Sequence, residues 1–326
     1  MKPKLALWLR ILVSVGLVAV LLWSMRGHLP YICVTLAKTN LFLFSAAVLL
    51  FVTATILIAF RLRLVFLGEG LRIAFGRVIQ LTFIGYFFNN FMPTAVGGDI
   101  VKAHYAHKET GKTAKSFVSV FMDRFIGLFS FVALGVLALL VSWESIDPYL
   151  RKIVLAFALL AIIVLLSVLN RVIARFVLNA LSRFKLWNMG EKLSKIYRAV
   201  HEYRNKKMLI LTAMGVSLVS QSLYFLTVYL LNRSLGTNLP LNAVFLIMPI
   251  VSVISMMPSL GGLGLQEGAI VVLFGPSIGN DNAFSVSILL RVVLLLVGLI
   301  GAAIYVSAAQ FRIQKETISS LKTHSV

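Results

Sequence analysis

The chain has 326 residues, 60% of them apolar and only 13% charged. About a quarter of a globular chain is ordinarily charged, so this composition excludes a soluble fold and defines an integral membrane protein. The 31 Lys and Arg against 11 Asp and Glu give a formal charge of +20, but they cluster between apolar runs, as the basic loops beside membrane spans do; this argues against nucleic acid as a partner.

Six stretches reach the roughly 20 apolar residues needed to cross a bilayer. They cover residues 5–25, 40–60, 116–143, 150–169, 208–231 and 284–311. The first is preceded by Lys2 and Lys4. Its apolar run is too long for a signal peptide, Arg10 interrupts it, and no small-residue cleavage site follows, so it reads as a span. Arg61, Arg63 and Arg72 follow the second span, and Lys102, Lys108, Lys112 and Lys115 precede the third. Residues 170–207 hold ten Lys or Arg against Glu191 and Glu202, and Arg312, Lys315 and Lys322 follow the last span. Residues 143–149 and 275–283 contain no Lys or Arg. Both termini in the cytoplasm satisfy every one of these loops. Within the basic linker, Leu193, Ile196, Tyr197 and Val200 have the spacing of a helix lying on the inner surface. Cys33 is the single cysteine and allows no intrachain disulfide.

Two apolar stretches remain. Residues 73–92 run into Pro93 and Gly97-Gly98, and a Lys-rich segment follows at once. A crossing there would put Lys102 to Lys115 outside, so a re-entrant hairpin over 73–110 is expected, opening to the cytoplasm. Residues 241–257 are broken by Pro258, Gly261-Gly262 and Gly264 and become apolar again from Leu265, which predicts a second hairpin over 241–275, opening outward. Broken helices at membrane depth survive only where protein or a water-filled cavity surrounds them.

The two breaks correspond. Arg124 comes thirty-one residues after Pro93, and Arg291 thirty-three after Pro258. Three crossings separate the hairpins, an odd number, so the units are inverted, as in many secondary transporters. The expected fold is therefore all-α and polytopic: about six spans plus two re-entrant hairpins in an inverted repeat. It forms one domain, with a first half over 5–143, a linker over 170–207 and a second half over 208–311.

Asp123, Arg124 and Arg291 lie within spans, where a charge costs about 2.5–3.5 kcal/mol and marks a functional candidate. The third span is long enough that the first two also suit a place near the inner headgroups. Gly97-Gly98 followed by Asp99 and a helical run points a helix N-terminus into the membrane, an arrangement that binds phosphate. Asp99 suits equally the N-cap of that helix. Gly261, Gly262, Gly264 and Glu267 form the corresponding set, and their glycines suit either anion binding or close backbone packing. Asn89, Asn90 and Gln266 add polar groups beside the breaks, while Gln221 suits an interhelical hydrogen bond. Gly111-Lys112-Thr113 lacks the earlier glycine of a phosphate-binding loop. His104 and His107 lack further ligands, so no metal and no cofactor are expected.

Asn89-Asn90, Pro93, Gly97-Gly98-Asp99, Lys102, Asp123-Arg124, Pro258, Gly261-Gly262, Gly264, Glu267 and Arg291, in this order, resemble the lysylphosphatidylglycerol synthase transmembrane family, also called the flippase-like domain family. The resemblance covers nearly the whole chain. It implies the lipid-translocating half of the multiple peptide resistance factor, and the short tail after the last span carries no room for the synthase domain. The expectation is a lipid flippase-like transporter for an anionic phospholipid, glycolipid or lipid-carrier phosphate. Arg124 and Arg291 would meet the headgroup. Asp99 and Glu267 would set the arginine geometry, carry a coupling proton or meet a cationic substituent. The alternatives are a membrane component of a lipid-modifying enzyme, with that enzyme as a partner, and a small-solute transporter.

Overall fold

The computed structural model describes residues 34–35, 37–90, 97–143, 151–152, 155–156, 159, 206–256 and 264–323, the last from 308 as backbone only. The described residues form eight α-helices. These are α1 (Leu41–Gly68), α2 (Phe75–Asn89), α3 (Gly97–Thr110), α4 (Thr113–Val141), α5 (Lys207–Ser234), α6 (Leu241–Ile254), α7 (Leu265–Ile278) and α8 (Asn280–Thr323). The expected spans at 5–25 and, for the most part, 150–169 lie outside the described residues, as do linker residues 170–205 and the breaks at Pro93, Pro258, Gly261 and Gly262.

Among the described residues four helices are long and apolar enough to cross a membrane: Leu41–Gly68, Thr113–Val141, Met208–Ser234 and Asn280–Ser307. At 28 residues, α1 measures about 42 Å, more than a roughly 30 Å hydrocarbon core. The outer faces of the bundle present large apolar side chains, among them Phe42, Leu49, Val141 and Leu211. Such a surface suits lipid and not water. By contrast α2, with 15 residues, and α3, α6 and α7, with 14 each, are too short to cross.

Local signals define the ends. The side chain of Asn40 accepts from the amides of Phe42 and Leu43, capping α1. Pro240 precedes α6, where its missing N–H costs nothing. The single residue between α7 and α8 is Gly279, whose φ of +84° lets the chain reverse between them.

The second span differs from its expected extent. The expected span ends at residue 60, yet α1 continues to Gly68 with Arg61 buried inside the bundle. Burial is tolerated because a carboxylate on α4 faces it.

Packing centres on α1 and α5, which share the most extensive helix–helix contact among the described residues. Around them α2 packs on α8 and α6 on α4, while α3 meets α4 and α7 meets α8. Lipid is as apolar as leucine, so this association rests on close packing and polar contacts more than on the hydrophobic effect. Phe131 and Phe225 stack at 5.9 Å, and Phe51 meets both Tyr86 and Tyr224 edge-on at 5.8 Å. Gly301 of α8 lies against the carbonyl of Phe83, where any added Cβ would collide with backbone. That close approach holds α8 against α2.

Candidate functional site: a charged cavity between the short helices

The first half of the site is built where α2 gives way to α3. Asn89, the last residue of α2, accepts at 2.7 Å from the amide of Gly98. An added Cβ on Gly98 would strike the Gly85 carbonyl, so only glycine fits. This approach buries Asp99, the third residue of α3 and 4% exposed. Its carboxylate pairs with Lys102 at 2.7 Å, one turn along, and with the Arg124 guanidinium of α4. The Lys102 stem lies over Gly85, whose added Cβ would sit 2.6 Å from Cε. Gly97 opens the same helix and is buried with it.

The second half repeats the plan where α7 begins. Gly264, at φ +83°, donates its amide to Glu267 Oε2 at 2.8 Å. The other Glu267 oxygen accepts from Arg291 Nε at 2.8 Å and Nη2 at 2.7 Å. Glu267 is the third residue of α7, as Asp99 is of α3. Asp99 and Arg124 are 25 positions apart, Glu267 and Arg291 24. Gln266 lies 3.5 Å from Arg291 Nη2, and Asn90 donates to the Leu294 carbonyl of α8 at 3.3 Å.

A third ion pair escaped the sequence reading. Arg61 donates to both oxygens of Asp123, at 2.7 and 3.0 Å, and to the Ser217 hydroxyl of α5 at 2.6 Å. Gly127 leaves room for this guanidinium. Two signals pointed to it: Leu62, Leu64, Val65, Phe66 and Leu67 continue the apolar pattern beyond Arg61, broken only by Arg63, and a carboxylate at Asp123 inside a span needs a cation.

Part of this cluster borders a cavity of about 190 Å³. Of the expected site residues, Asn89, Asn90, Lys102, Asp123, Arg124 and Gln266 line it, and Arg61, Gln221, Tyr224, Ser252 and Ser255 join them. Gly97, Gly98, Asp99, Gly264, Glu267 and Arg291 are not among the lining residues. The Arg124 side chain is 34% exposed, whereas that of Arg291 is 2% exposed. Among the described residues the cluster holds four cations, Arg61, Lys102, Arg124 and Arg291, against the carboxylates of Asp99, Asp123 and Glu267. Such buried pairs add little net stability, but each becomes costly to break from one side.

Long apolar helices around a buried charged cavity define a multi-pass membrane protein with a polar interior. The chain belongs to the family described as the lysylphosphatidylglycerol synthase TM region, whose model matches residues 7–302. It is similar to a UPF0104 membrane protein of Pyrococcus horikoshii, 25% identical over 308 residues that cover 86% of this chain and 90% of the relative. A UPF0104 membrane protein of Methanothermobacter thermautotrophicus is 27% identical over 262 residues, covering 71% of this chain and 74% of the relative.

Proposed function

We propose that the protein is a lipid flippase-like transporter, moving a phosphate-bearing headgroup across the cytoplasmic membrane. The observation that carries this reading is Arg124, whose side chain opens into a cavity walled by both charged and apolar side chains, inside a bundle with an apolar outer surface. An ionised headgroup that loses water without gaining partners is very unfavourable in a low-dielectric core. A guanidinium offers the paired donors that a phosphate accepts, and Lys102, Asn89 and Asn90 extend that polar surface.

In this reading six spans and two re-entrant hairpins, α2–α3 and α6–α7, form an inverted repeat with both termini cytoplasmic. The order of helix lengths supports it: 28, 15, 14 and 29 residues in α1–α4, then 28, 14, 14 and 44 in α5–α8. So does the exchange of partners, α2 on α8 and α6 on α4. Rocking one unit against the other would open the cavity to each side in turn. The runner-up, a membrane subunit serving a separate lipid-modifying enzyme, draws on the synthase in the family's description.

Purified protein in vesicles separates the two. The translocase alone should move a fluorescent anionic phospholipid away from an external quencher, and a rate equal to that of empty vesicles rejects it. Topology is tested by single cysteines at Lys112 and Gly279 on a background lacking Cys33. An impermeant thiol reagent added to intact cells should label position 279 and not 112.

A further inference from the structure

We propose that a separate lipid site lies outside the cavity, at the end of the bundle where α1 finishes and α2 begins. It binds the phosphate of an anionic phospholipid from the surrounding bilayer, and it does not depend on the translocase reading. The residue that carries it is Arg63, five residues before the end of α1. Five residues rise about 8 Å, and α1 exceeds a roughly 30 Å core by about 12 Å, so Arg63 lies where hydrocarbon meets headgroups. Its guanidinium stands over the ring of Phe75, with Cζ 5.7 Å from the centroid. Phe60 meets that ring edge-on at 5.8 Å and steadies it. A guanidinium laid on an aromatic face keeps its N–H edge for paired hydrogen bonds to phosphate. Arg63 is half-buried, and its Nε is fully enclosed with no acceptor among the described residues. A cation left unanswered at this depth is costly, and a phosphate drawn against the outer nitrogens of the same guanidinium offsets that cost.

The neighbouring acids are already engaged. Glu69 accepts from Lys206 at 3.3 Å, and its backbone carbonyl accepts from Lys115 at 3.2 Å. Glu109 accepts from Arg77 Nε at 3.1 Å, and Gln80 from Arg77 Nη1 at 2.9 Å. Arg63 and the exposed Arg72 meet no carboxylate among the described residues. Phe75 is also the first residue of α2, whose N-terminus has no side-chain cap. The amides of Arg77 and Val78 return to the Ala74 carbonyl, whereas those of Phe75 and Gly76 have no acceptor among the described residues. Gly76 faces open space, since an added Cβ would meet nothing within 4 Å. One turn of α2 thus supplies the platform under the guanidinium and open N–H groups at the positive end of a 15-residue helix.

Native mass spectrometry of the full chain in neutral detergent would count bound phosphatidylglycerol, with an uncharged galactolipid and water-soluble glycerol phosphate as the other probes. The wild type should carry one more phosphatidylglycerol than Arg63→Gln combined with Arg72→Gln. That difference should persist in an Arg124→Gln background, which separates this site from the cavity. Phe75→Leu should weaken the extra lipid about tenfold although no charge changes, and Phe75→Trp should retain it. Should the glutamine variants fail to fold, Arg63→Lys keeps the charge and should also weaken binding about tenfold, for want of the planar fork. Equal lipid counts overturn the proposal, and a difference that vanishes with Arg124→Gln does so by returning the lipid to the cavity. Unchanged affinity in Phe75→Leu or Arg63→Lys would mean diffuse attraction by basic loops and rejects it. Galactolipid binding as tightly as phosphatidylglycerol removes the phosphate, and glycerol phosphate doing so makes the ligand a soluble one; either rejects the site. None of these readouts involves flux, so the site and the translocase reading stand or fall separately.

Discussion

Arg124 and Arg291 hold corresponding places on α4 and α8, each facing the acidic third residue of a preceding short helix, yet their surroundings differ. Arg291 is sealed, with two of its nitrogens on one Glu267 oxygen. Arg124 shares Asp99 with Lys102 and opens into the cavity. The first unit also carries the Arg61–Asp123 pair. At the matching positions of the second unit stand Thr227, the twenty-first residue of α5 as Arg61 is of α1, and Leu290, which precedes Arg291 as Asp123 precedes Arg124. Among the described lining residues the charged side chains thus come from α1, α3 and α4, while α5, α6 and α7 supply neutral polar groups. Similarly placed side chains can still do different work: in our reading Arg124 meets the headgroup and Arg291 locks α7 to α8.

The sharpest way to break this comparison is to remove one side of the pair found only in the first unit. Asp123→Ala strands Arg61 and should cost about 3–5 kcal/mol, seen as loss of the monodisperse folded protein on heating in detergent. Arg61→Leu with Asp123→Leu should recover most of that loss, and failure to do so would mean that the charges do more than neutralise each other. Next comes the arginine contrast. Arg124→Lys should reduce vesicle flux about 10- to 100-fold at unchanged thermal stability, since Lys lacks the planar fork. Arg291→Lys should instead lower the melting temperature; equal effects on flux and stability in both variants would erase the asymmetry.

The glycines at the helix starts sharpen the comparison on a smaller scale. Gly98→Ala meets the Gly85 carbonyl and should cost about 1–3 kcal/mol through displacement of α3. Gly264→Ala meets no atom of the described residues and carries the strain of its positive φ, about 1–2 kcal/mol. Thermal unfolding of the two variants should rank them in that order. The smallest effect is expected outside both units' charged centres. Lys206, 35% exposed in its pair with Glu69, should tolerate Ala within about 1 kcal/mol.

Membrane residence and the order of long and short helices were legible in the sequence, because apolar run length and Pro or Gly breaks are local properties. So was the spacing that brings Asp99 to Arg124 and Glu267 to Arg291, since an acid soon after each break and an arginine in the following span are both visible along the chain. Arg61 was not legible as a buried residue. Charge-based topology treats an arginine at the end of an apolar run as a flank, and its partner Asp123 lies 62 positions away. The neutral wall of the cavity was hidden for a related reason. Ser252 and Tyr224 are ordinary residues of apolar helices, and Ser255 directly follows one, until packing turns them toward a common space. The chain by itself determined which segments are helical and where charge must be compensated, because hydropathy and capping act within a few residues. Only the tertiary structure decided which cations share a carboxylate and which arginine faces the cavity, because burial and ion pairing depend on which helices meet.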